Sequence, residues 1–178
     1  TSLFRFLIDK GSFGEGLIFF ELEKLPKPTK ILTNVYLPTE DGTTELDLVC
    51  ISTSGIYVIE SKNYSGWIFG NSNSKYWTSV IHSTKYKFFN PIWQNKKHIK
   101  YLQELFPDRK LQSLIVFSER CEFKKLNVEE NIVIKRRQLK RTIRTHQSSS
   151  TISEEKINQI YAVLKKYSNQ SQEVKQQH

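Results

Sequence analysis

The sequence predicts an α/β (α+β) chain in which helices cover a β-sheet, and three observations predict it. Residues 44–64 (T-E-L-D-L-V-C-I-S-T-S-G-I-Y-V-I-E-S-K-N-Y) hold two alternating, largely apolar runs around Ser52-Thr53-Ser54-Gly55, which reads as a β-hairpin. Past their charged ends the runs are apolar on both faces, with Val49 and Ile51 on one side and Leu46, Leu48 and Cys50 on the other. Central strands covered on two sides look like this. Residues 111–118 (L-Q-S-L-I-V-F-S) form a further buried-type strand behind a long amphipathic helix, which suits parallel pairing. Residues 1–146 are expected to form one domain. Residues 147–178 then supply a serine-rich linker, a C-terminal helix and a disordered polar tail.

The hairpin also carries the chemistry. With Thr53 and Ser54 as its loop, Asp47 lies opposite Glu60 and Glu45 opposite Lys62, all four on one face because side chains alternate. A slip of one residue would separate Asp47 from Glu60. Opposed carboxylates in a half-buried sheet repel, at a cost of up to about 1 kcal/mol before desolvation. Hard Mg²⁺ or Mn²⁺, which prefers oxygen ligands, removes that repulsion. A lysine on the same face can then steady a water or a phosphate during phosphodiester hydrolysis. The plainer reading is a salt-bridge patch on an exposed sheet face.

Composition narrows the partners. Among 178 residues, 27 basic side chains face 18 acidic ones, a net charge of +9 that favours nucleic acid first and an anionic membrane second. Cys50 and Cys121 form neither a disulfide framework nor a thiolate metal site, and a reducing cytoplasm is the expected location. No stretch has the apolar length of a membrane span, and no signal peptide is visible. The chain begins at Thr1 and lacks methionine, so a processed fragment is expected, and membrane association would have to come from sequence upstream. Neither a small-molecule cofactor nor an oligomeric state is indicated.

The elements follow in order. Residues 1–11 form a short apolar lead-in. Ser12 reads as the N-cap of a first helix, with Ile18, Leu22 and Leu25 as its stripe and Pro26 and Pro28 at its end. Glu15 closes a capping box with Ser12, the simpler reading, or serves a site, for which Gly14 and Gly16 allow close approach. Lys30–Leu37 is the first strand and precedes the hairpin. Residues 63–81 read as an extension of the third strand, a polar loop and a returning strand. Trp67 and Trp77 there pack on the hairpin or stack on bases. His82 is expected at the surface.

Asn90 and Pro91 open the clearest helix, with Ile92, Ile99, Leu102 and Phe106 inward. Gln94, Lys97, His98 and Tyr101 share another stripe, read either as a solvated face or as a site wall near the helix N-terminus. A lone His98 is not expected to ligate metal. A short strand spans 131–134. Lys135, Arg136, Arg137, Lys140 and Arg141 then form a basic run, either a solvated helix face or, with Lys97, a contact for phosphates. Ser153 caps the last helix, whose apolar face is Ile157, Ile160, Tyr161 and Leu164.

The ordered set G14-E15-G16, E45-L-D47, G55-I-Y-V-I-E60-S-K62-N63, G66-W-I-F-G70, W77 and N90-P-I-W-Q94-N95 resembles the nuclease-related domain (NERD) family. That family is a branch of the PD-(D/E)xK, restriction-endonuclease-like superfamily, and the resemblance covers roughly residues 12–118. It implies a restriction-endonuclease-like mixed β-sheet flanked by helices. It also implies a site of Glu15, Asp47, Glu60, Lys62 and Gln94, with Asp47, Glu60, the Ser61 carbonyl and Glu15 around Mg²⁺ or Mn²⁺. The implied activity is metal-dependent hydrolysis of DNA, with RNA also open as substrate. The alternative is an inactive nucleic-acid-binding or scaffold module of the same fold.

Overall fold

The computed structural model describes residues 2–146 and 151–176, with side chains over 12–146 and 151–168. Of the predicted linker (147–151), residues 147–150 lie outside the described residues, and the backbone of the tail expected to be disordered (168–178) is helical as far as Gln176. Helix α1 (Ser2–Glu23) is followed by strands β1 (Lys30–Thr39), β2 (Gly42–Ser52), β3 (Gly55–Lys62), β4 (Gly66–Asn71), β5 (Tyr76–Ile81) and β6 (Thr84–Phe89). Helix α2 (Pro91–Leu105) leads to β7 (Leu111–Phe117), β8 (Cys121–Asn127) and β9 (Ile132–Lys135). A 3-10 turn (Arg136–Gln138), α3 (Leu139–Thr145) and α4 (Glu154–Gln176) complete the order.

The first sheet runs β1-β2-β3-β7-β9. Its first three strands are antiparallel, and β7 and β9 add in parallel. Pairing of Ser52 with Gly55 and of Leu48 with Ile59 gives the hairpin the register its turn residues predict. One face takes Ile18 and Leu22 of α1 and Leu139 and Ile143 of α3 against Leu48, Cys50, Tyr57 and Ile59. The other takes Leu102 of α2 and Ile157, Ile160 and Leu164 of α4 against Leu32, Val49, Ile51 and Val58. Helices on both faces of a mixed sheet make this the restriction-endonuclease-like arrangement.

Helix α1 begins ten residues before the predicted start. Leu3, Phe4, Leu7 and Ile8 continue the helical spacing upstream, so Ser12 lies inside the helix and caps nothing. The capping-box reading of Glu15 is thereby corrected. Asn90 does cap α2: its side chain accepts from the Ile92 N–H at 2.9 Å, with Pro91 in the first turn. Its amide also donates to the carbonyls of Ser72 (3.1 Å) and Ser74 (2.8 Å), tying the α2 N-terminus to the loop before β5.

A second sheet, β6-β5-β4-β8, departs from the sequence reading. Residues 66–71 do not extend β3. Gly66 turns the chain at φ 81°, and a Cβ there would meet the Val80 carbonyl oxygen at 2.3 Å, so only glycine fits. Strands β6 and β8 escape prediction because lysines and exposed positions dominate them. Trp77 is buried and stacks on Phe117 at 6.3 Å, joining the two sheets, whereas Trp67 is 48% exposed beneath the Lys124 ammonium.

Candidate active site

The site forms where the regular ladder between β2 and β3 ends. Leu48 and Cys50 face α1, and Val49 and Ile51 face α2 and α4, yet Leu46 lies on the latter side as well. Alternation therefore breaks at Asp47. Its neighbour in β1, Asn34, sits between the Thr33–Leu48 and Val35–Leu46 pairs with φ 51°, a left-handed value that asparagine tolerates. Beyond the last β2–β3 pair, Asp47 Oδ2 accepts the Ser61 backbone N–H at 2.8 Å. A carboxylate thus takes the place of a strand carbonyl and points into the gap between the strands.

The break also redirects Glu45. Expected opposite Lys62, it lies instead on the exposed rim, where Glu45 Oε1 accepts from Asn34 Nδ2 and the Tyr36 hydroxyl, each at 2.8 Å. Its backbone partner is Tyr36 of β1, and Lys62 pairs with Phe117 of β7.

Glu60 is 1% exposed on the α2 side of β3. Lys62 Nζ donates to Glu60 Oε1 at 2.7 Å and to Gln94 Oε1 at 3.0 Å, so β3 and the first turn of α2 jointly fix the ammonium. His98, one turn after Gln94, brings Nε2 to 3.3 Å from Glu60 Oε2 and shares a 2.8 Å hydrogen bond between Nδ1 and Thr44 Oγ1. The 3.3 Å approach lacks hydrogen-bond alignment, so among the described residues neither Glu60 Oε2 nor His98 Nε2, both buried, has a hydrogen-bond partner. Spacing had placed His98 on the Gln94 stripe. Nothing in the sequence revealed that it reaches Glu60.

Charge sorts the three carboxylates. Burial and the Glu60 charge push Asp47 up to about 8, against the pull of the Ser61 N–H. Glu15, half-buried on α1, is also raised, by burial and then by Glu45 and Glu60, with Asn34 acting the other way. Burial opposes ionisation of Glu60 too, but His98 and Lys62 outweigh it and hold Glu60 below the ordinary carboxylate range. Lys62, desolvated yet facing Glu60, stays above the usual lysine value. The centre thus holds one firm carboxylate, one firm ammonium and two acids, Asp47 and Glu15, whose ionisation burial and neighbouring carboxylates oppose.

Helix α1 reaches this centre through a close approach. A Cβ on buried Gly14 would stand 2.8 Å from Asn63 Cβ, so Gly14 lets α1 press on the end of β3 and delivers Glu15. Gly14→Ala is expected to destabilise the fold by about 1–3 kcal/mol through overpacking. Chemical denaturation checks this: the midpoint should fall while the slope is unchanged.

Of the predicted residues, Glu15, Asp47, Glu60, Ser61, Lys62 and Gln94 come together, and the basic ones divide. Arg136 lines a narrow crevice with Ser61, Lys62 and Asn63 beside the site. Lys135 instead donates to the Cys121 carbonyl. Arg137, Lys140 and Arg141 open with Arg144 and Glu21 onto a cavity of about 470 Å³. Lys97 is exposed on α2. Among the described residues, no three His, Cys, Asp or Glu side chains are gathered closely enough to cage a metal ion by themselves.

Comparison with known proteins places the chain in a family. The chain is 33% identical over 174 residues to an uncharacterized protein of Bacillus anthracis, spanning 95% of this chain and 82% of that one. No solved structure matches it significantly. A profile described as the nuclease-related domain, NERD, matches residues 10–118, from α1 to the end of β7 and so across every element that places Glu15, Asp47, Glu60, Lys62 and Gln94. The chain belongs to the nuclease-related domain family of PD-(D/E)xK-like proteins.

Proposed function

We propose that the protein is a Mg²⁺- or Mn²⁺-dependent nuclease that hydrolyses phosphodiester bonds in DNA. The observation that carries this reading is Asp47, an acid buried beside Glu60 with its carboxylate turned onto the Ser61 N–H, and pushed up to about 8 by burial and the Glu60 charge. The donor set suits a hard divalent ion: the carboxylates of Asp47 and Glu60, the Ser61 carbonyl, and Glu15 at the edge. Glu60 Oε2 is buried and makes no aligned hydrogen bond among the described residues, with only His98 Nε2 close by at 3.3 Å, which leaves it a lone pair for such an ion. A metal bound there supplies Lewis-acid activation of water and neutralises charge on the phosphate.

The remaining work falls to the chain's own side chains. Lys62, held by Glu60 and Gln94, donates to the attacking water or to the phosphate oxygen that gains charge. Gln94, at the start of α2, fixes that ammonium and has its amide N–H₂ free of any described hydrogen bond for a phosphate oxygen. In the net reaction the water oxygen bonds to phosphorus, one ester P–O bond breaks, and the leaving oxygen takes up a proton. Arg136 stands where it would meet the backbone phosphate next to the scissile one, with Arg137, Lys140 and Arg141 beyond it. A cytoplasmic location is part of this reading and accords with Cys50 and Cys121, both buried and unpaired.

The test is incubation of purified protein with plasmid, linear and single-stranded DNA in Mg²⁺ or Mn²⁺. Shortened or nicked product that disappears with EDTA supports the reading. The rival, an inactive nucleic-acid-binding module, draws on the closed Lys62–Glu60 pair, and it predicts salt-dependent binding with no product in any metal. RNA substrates belong in the same assay.

A further inference from the structure

The excess positive charge of this chain is concentrated in one stretch of sequence that also carries exposed aromatic rings. Residues 61–103 contain seven lysines and no aspartate or glutamate, leaving 20 basic against 18 acidic residues elsewhere (27 less 7). Within that stretch, Tyr76 of β5 and Phe89 of β6 are directly paired across the strands. Their partners Trp77 and Phe88 point inward, so alternation turns Tyr76 and Phe89 to the outer face. Lys87, two residues before Phe89, shares that face. Trp93 follows on α2, and its indole N–H donates to the Ser72 carbonyl at 2.8 Å, which fixes the ring.

The three rings form an edge-to-face chain, with Tyr76 and Phe89 centroids 6.4 Å apart and Phe89 and Trp93 6.2 Å apart. They remain 52%, 40% and 38% exposed. Lysines extend the chain at both ends. Lys75 lies over Tyr76, and Lys96 and Lys97 follow Trp93 at three and four residues, hence on its side of the helix. Apolar rings packed solely for stability would be covered, and lysines displayed solely for solubility would be mixed with acids. Here the rings are partly exposed, and the lysines beside them come from a stretch that holds no acid.

We infer that the outer face of the β5–β6 hairpin and the adjoining side of α2 form a binding surface for single-stranded nucleic acid. Bases would stack on Tyr76, Phe89 and Trp93 while Lys75, Lys87, Lys96 and Lys97 meet the backbone. A duplex keeps its bases stacked on one another and cannot use the rings. Trp93 shares the first turn of α2 with Gln94, which holds Lys62, so the strip and the site meet at one helix end. The inference rests on the nuclease reading for its purpose but not for its test, which measures binding without turnover.

The test is fluorescence anisotropy in EDTA with labelled (dT)20, (rU)20 and a 20-base-pair duplex. The full chain should bind one or both single strands at least tenfold more tightly than the duplex, and the tighter one names the sugar. Tyr76→Ala/Phe89→Ala should weaken that binding at least tenfold, as loss of base stacking costs about 1–3 kcal/mol per base. Lys96→Gln/Lys97→Gln, which alters only exposed side chains, should lower the salt-dependence slope by about 1.4. Circular dichroism verifies that each variant is folded. Equal or tighter duplex binding overturns the inference, as does single-strand affinity that neither variant changes. Binding that holds without any cleavage leaves this surface standing and removes the nuclease reading instead.

Discussion

Lys62→Ala is expected to lower metal-dependent DNA cleavage by at least about 10²–10³-fold, the cost of removing one preorganised donor to developing charge. Two residues fix its ammonium, and burial keeps water from replacing it. The substitution also strands Glu60, whose remaining neighbour is a misaligned His98. Breaking a buried ion pair from one side costs about 3–5 kcal/mol. Thermal unfolding must therefore be measured beside activity, and Lys62→Ala/Glu60→Gln serves as a control with no buried charge left unpaired. Both variants should be inactive, and the double variant should unfold at the higher temperature. Cleavage that persists at the wild-type rate in folded Lys62→Ala would remove Lys62 from the chemistry.

The second large effect is on the pH dependence of stability. In the folded chain Asp47 sits at about 8 against an ordinary 3.8. Between these values the native state keeps a proton that the unfolded chain has released. Its contribution is therefore fully present below pH 4 and is lost as pH rises through 8. Glu15, raised for a similar reason, acts with the same sign. In EDTA the wild-type melting temperature should fall between pH 5 and 9. Asp47→Asn keeps an acceptor for the Ser61 N–H and removes the buried charge. At pH 9 it should melt about 2–8 °C above wild type, as expected for 1–2 kcal/mol in a domain of this size. Mn²⁺ should reverse that order by stabilising only the wild type. Superimposable pH profiles in EDTA would contradict the burial argument.

The hairpin was legible because a turn of small residues between two alternating runs leaves little freedom of register. That register carries Asp47 and Glu60 to the same end of the hairpin, where the break beyond Leu48–Ile59 turns the Asp47 carboxylate into the gap. Glu45 differs because alternation breaks at Asp47, opposite Asn34, and an asparagine permits a left-handed backbone without dictating one. Glu15 and Gln94 depend on contacts across many residues. Their own surroundings suggested a cap and a solvated face, and the family pattern placed them. The second sheet was legible only at β5, the returning strand around Trp77. Strands β6 and β8 are largely exposed and hold lysines, so their pairing with β5 and β4, rather than local propensity, makes them strands.

Crystals grown with Mn²⁺ test the central claim most directly. The account predicts an anomalous peak in contact with the carboxylates of both Asp47 and Glu60, absent from crystals of Asp47→Asn. A well-ordered wild-type site with no manganese between those two acids, at a concentration that supports cleavage, would contradict it.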